Sequence, residues 1–107
     1  MTNHDAIISS LYPYDVDDSL IEKVCIDYDL DDCDDYCVAY REAVARVTVT
    51  ILTQMLKSIS SESNNGYSLS YSENGLRERI YSIAKYNGFN DIVEEYNPKP
   101  QVFINCD

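Results

Sequence analysis

The chain has 107 residues, enough for one small domain with a modest core. Nineteen acidic residues against eight basic ones give a formal charge of −11, which argues against a general nucleic-acid-binding or membrane-binding surface and favours a basic partner. No apolar run approaches membrane-spanning length, and MTNHDAIISS lacks the basic flank and apolar core of a signal peptide. An intracellular start is therefore expected, with the four cysteines free rather than bridged.

Residues 3 to 11 read as a short helix. Thr2 and Asp5 have capping-box spacing, Ile7, Ile8 and Leu11 supply an apolar edge, and Pro13 stops it. A second short helix begins near Asp17 or Asp18, turns Leu20, Ile21, Val24 and Cys25 inward, and fades by Leu30. The run DYDLDDCDD follows, presenting Asp27, Asp29, Asp31, Asp32, Asp34 and Asp35 as an acidic surface. Four of these match the acidic positions of a calcium loop that starts at Asp27. The turn glycine is replaced by Asp32, however, and the bidentate glutamate by Val38. An acidic turn whose Asp31 or Asp32 caps the next helix is the simpler reading, and no metal site is assigned. Up to Cys37 there are eleven acidic residues and one basic, Lys23, so the negative charge belongs to the first third of the chain.

Asp35 to Ser58 is the longest Gly- and Pro-free interval with a sustained apolar pattern. Cys37, Tyr40, Val44, Val47, Ile51, Met55 and Ile59 form one helical stripe, widened by Val38, Ala45, Leu52 and Leu56. VTVTIL, residues 47 to 52, also alternates as a strand would. The helical period extends beyond it on both sides and favours one long helix. Its β-branched centre needs tertiary support, and the breadth of the face leads us to expect Val47 to Ile51 to be covered by subunit packing.

Beyond this helix, Ser60 to Gly66 reads as a polar loop. Tyr67, Leu69 and Tyr71 then alternate with serines as a short extended β segment that needs a pairing partner. A helix over Asn74 to Asn87, capped by Ser72 or Asn74, points Leu76, Ile80, Ile83 and Ala84 inward and ends at Gly88. Phe89 to Tyr96 form one more short turn, with Asn90 as cap and Ile92 and Val93 buried. Pro98 and Pro100 open an extended tail that carries Val102, Phe103 and Ile104. The expected architecture is mainly α: a small helical bundle over 1–97 organised on one long central helix, with a short extended β segment after it and an extended docking tail over 98–107.

No catalytic constellation emerges. There is no Gly-rich phosphate loop and no zinc-hydrolase motif, and the single histidine, His4, is expected to be exposed in a mobile N-terminus. The serines lack a supporting base. The chain therefore reads as a non-enzyme without cofactor. Ten tyrosines and no tryptophan favour an assembly component, because tyrosine packs while keeping one end wet. Tyr40 and Tyr81 suit the core or its boundary. Tyr67, Leu69, Tyr71, Tyr86, Tyr96, Val102, Phe103 and Ile104 are the expected interface residues.

Three stretches carry a family resemblance: DDSLIEKVCIDYDLD at 17 to 31, YREAVARVTVTILTQML at 40 to 56, and NNGYSLSYSENGLRERIYSIAKYNG at 64 to 88. In this order they resemble the small head–tail connector (adaptor, or head-completion) proteins of tailed bacteriophages. The resemblance implies a homo-oligomeric ring, often dodecameric, assembled in the host cytoplasm and placed at the head–tail junction of the virion. Such a ring binds the portal protein on one side and a downstream neck or tail protein on the other. It extends a channel through which DNA passes without specific binding, and acidic residues can line that channel. The other reading of the residues is an acidic binding module or inhibitor that docks on a basic partner.

Overall fold

The computed structural model describes residues 1–61 and 73–97, the side chains of 59–61 excepted. Five α-helices and one 3-10 turn follow in order: α1 (Asn3–Leu11), α2 (Asp18–Asp27), the turn Val38–Tyr40, α3 (Arg41–Ser61), α4 (Glu73–Asn87) and α5 (Asn90–Tyr96). Helix α3 is the hub. It packs against α1, α2 and α4, and α5 lies on α4.

The expected fold needs correcting in its β part. Among the described residues every regular element is helical, and the closest approach to pairing is an isolated antiparallel bridge between Thr2 and Asp35. The alternating stretch VTVTIL lies inside α3, so it supplies no strand to pair with. The extended segment expected over Tyr67, Leu69 and Tyr71 lies outside the described residues, as does the tail from 98 to 107 with Val102, Phe103 and Ile104.

Helix α3 is buried well beyond one stripe. Val44, Ala45, Val47, Thr48, Val49, Ile51, Leu52 and Leu56 are all buried, because helices flank it on several sides. Burial from several directions explains the strand-like composition: a central helix reads as a continuous apolar run. The same observation corrects the expectation of subunit packing at the helix centre. Val47, Thr48, Val49 and Ile51 are buried within the single chain, whose α1, α2 and α4 pack on α3, and Thr50 is half-buried. Thr48, wholly buried, donates its hydroxyl to the Val44 carbonyl at 2.8 Å and so leaves no orphan polar atom. The stripe also starts later than its period suggests. Cys37 and Val38 precede the α-helix and are exposed, Val38 by 78%.

Two helix ends share one device. At the end of α2, Asp29 adopts φ 58°, while the amides of Leu30 and Asp29 bond the carbonyls of Cys25 (2.8 Å) and Ile26 (3.0 Å). At the end of α4, Gly88 adopts φ 76°, and Phe89 and Gly88 bond Ala84 (2.9 Å) and Lys85 (3.4 Å). Both are Schellman closures, with a buried apolar residue just past the turn, Leu30 in one and Phe89 in the other. Phe89, not Asn90, is the N-cap of α5, its carbonyl accepting from Ile92 and Val93. Ile92 and Val93 are only half-buried, contrary to expectation. Arg46 of α3 lies over the Phe89 ring, 3.9 Å from its centroid, and thereby ties α5 to the hub.

Candidate functional site

The acidic run does not cap the long helix. It folds over the start of α1 instead, through a series of peptide-group bonds. The amides of Asn3 and His4 donate to the carbonyls of Asp34 (2.8 Å) and Asp32 (2.9 Å), and the Tyr36 amide donates to the Met1 carbonyl (2.8 Å). The first amides of a helix have no partner within it, and the loop provides two of those partners here. Thr2 and Asp5 complete the capping box that their spacing predicts. Asn3 is fully buried and donates its Nδ2 to the Asp31 carbonyl at 2.8 Å. Its Oδ1 has no partner among the described residues.

His4 occupies the centre of this junction, which corrects the expectation of an exposed, mobile residue. Its side chain is 21% exposed, with Nδ1 3.0 Å from Asp32 Oδ2 and Nε2 3.2 Å from Asp18 Oδ1. Both ring nitrogens face carboxylates, and only the imidazolium can donate to the two at once. Burial works against the charged ring, while hydrogen bonds to Asp32 and Asp18 and the charges of both favour it. The net shift is upward from 6.5.

The other acidic residues divide by role. Asp27 pairs with Lys23 at 2.9 Å across one exposed turn. Asp31 Oδ1 accepts from the Cys33 amide at 2.9 Å, and Asp34 accepts from the Tyr40 hydroxyl at 2.6 Å. Asp27, Asp29, Asp31, Asp34 and Asp35 are exposed, and Asp32 is half-buried. Ligand atoms of Asp31, Asp32 and Cys33 lie within 4.8 Å of one another, close enough for a cation. The charge of Asp32, foremost among several causes, raises the Cys33 thiol above its usual range and disfavours the thiolate a soft metal would need.

At α4 and α5, Asn74, Arg77, Glu78, Tyr81, Tyr96 and Asn97 line an open cleft of about 480 Å³. The chain therefore enters α4 and leaves α5 beside the same cleft. Of the expected interface residues, Tyr86 is 79% exposed on α4. Tyr96 is half-buried, with the Arg77 guanidinium 5.7 Å from its ring centroid. Tyr67, Leu69, Tyr71, Val102, Phe103 and Ile104 fall outside the described residues. Sequence reasoning missed the carboxylate clamp on His4, because its partners lie 14 and 28 residues away. The capping box was the available signal, since a capped first turn at residue 2 implies an ordered N-terminus.

Among the described residues no helix is long and apolar enough to cross a membrane. No curated protein and no solved structure matches the chain. A family does match, over residues 1–103, nearly the whole length. The chain belongs to DUF6706, a family of unknown function.

Proposed function

We propose that this protein is a structural virion component: one subunit of a ring between the portal and the neck or tail proteins of a tailed bacteriophage, extending the DNA channel. The observation that carries the reading is the placement of Asn74 and Asn97 on one cleft. In the sequence the tyrosine-bearing segment 62–72 directly precedes α4, and the proline-led tail 98–107 directly follows Asn97. We take these two segments as the docking sites of a ring subunit, which must hold its neighbours while its described helices bury a core of their own. Tyr86 adds an exposed aromatic contact on α4. The acidic first third supplies a surface along which packaged DNA would slide without sticking.

Electron microscopy and native mass spectrometry of the chain co-expressed with its portal protein test the reading. A closed ring seated on the portal is expected. A monomer indifferent to the portal would overturn it.

The second reading, an acidic module docking on a basic partner, draws on the first third of the chain, where the one Lys or Arg residue, Lys23, is already paired with Asp27. Its signature is binding that weakens steeply with added salt and depends on Asp27 to Asp35 rather than on residues 98–107.

A further inference from the structure

We infer that His4 is a proton-operated latch, joining α1, α2 and the acidic loop through Asp18 and Asp32 only while its ring carries two N–H groups. Geometry carries the inference. The ring bridges two carboxylates from different elements, Asp18 at the start of α2 and Asp32 of the loop. Among the described residues these two are the charged groups that contact its ring nitrogens. Helix α3, which also packs on α1, contributes none, and Asp5 on α1 itself is turned to the Thr2 amide.

Deprotonation leaves one ring nitrogen without its hydrogen. That nitrogen then faces a carboxylate, lone pair against lone pair, and one of the two bonds must open. The sign follows from the pairing. The folded chain holds the proton more tightly than the unfolded chain. The latch's contribution is therefore complete below about pH 6.5 and is lost as pH rises through the higher folded value. What loosens is local: the amides of Asn3, His4 and Tyr36 that stitch the N-terminus to residues 32–36. Core amides of α3, around the buried Val47, Ile51 and Leu52, stay protected. The latch is a property of this junction and stands whether or not the chain forms a ring.

The single histidine makes the test direct. NMR titration of the full chain should place the His4 midpoint above 6.5, lower in Asp18→Asn and lower in Asp32→Asn. Hydrogen exchange corrected for its intrinsic pH dependence should show protection of the Asn3, His4 and Tyr36 amides falling about fivefold or more between about pH 6 and about pH 9, with α3 unchanged. In His4→Gln that pH dependence should disappear. A wild-type midpoint at or below 6.5, midpoints unmoved in both asparagine variants, or the same pH dependence in His4→Gln would each overturn the latch. The exposed position of Asp18 keeps Asp18→Asn informative even where His4→Gln folds poorly.

Discussion

The guanidinium of Arg79, midway along α4, closes the end of α1: Nη1 donates to the Ser10 carbonyl at 2.7 Å, while Nη2 reaches the Tyr12 carbonyl at the same distance. Carbonyls at a helix C-terminus carry partial negative charge and lack partners within the helix, so a planar cation with two parallel donors suits them. Arg79→Ala should cost about 2 kcal/mol in urea denaturation. Arg79→Lys should recover only part of it, because an ammonium cannot serve both carbonyls in the same fork.

Asp29 and Gly88 hold the same backbone conformation with different side chains, which makes them a matched pair. Asp29→Gly removes a Cβ from a left-handed position and should stabilise the chain by about 0.5–1 kcal/mol. Gly88→Ala should destabilise it by about 1 kcal/mol through its backbone alone, since a Cβ there meets nothing within 4 Å. Thermal melts of the two variants should move in opposite directions.

Core and surface positions should separate cleanly. Ile51→Ala, at a fully buried site, is expected to cost about 3 kcal/mol. Tyr86→Ala should change stability by less than about 0.5 kcal/mol and, on the ring reading proposed for this chain, weaken assembly as read by native mass spectrometry.

The thiols should differ in reactivity. Burial, with smaller contributions from Asp32 and Glu22, pushes Cys25 up to about 11, so it should resist iodoacetamide until the chain unfolds. Exposed Cys33 should react more slowly than a small free thiol near neutral pH, and Asp32→Asn should speed it up. Mass spectrometry of alkylated peptides, with and without denaturant, checks both expectations.

The helices were legible wherever local chemistry decides. Thr2 with Asp5 marked the start of α1, Gly88 marked the end of α4, and the period through Val44, Val47 and Ile51 marked α3 against its own strand-like composition. What was not legible depends on contacts between distant residues. The carboxylates around His4 sit on two other elements, and the acidic loop bonds α1 through carbonyl oxygens, which every residue possesses and no residue type announces. The burial of α3 from several sides was likewise invisible. A broad apolar face looks the same whether its cover comes from α1, α2 and α4 or from another chain.

The loop's grip on the first helix rests largely on peptide groups: the carbonyls of Asp31, Asp32 and Asp34 do the holding. Peptide groups survive substitution, so the junction constrains the path of the chain there far more than its charge. An exposed position such as Asp35 is then free to drift, and the surface potential of this end can be retuned there by mutation with little penalty in folding.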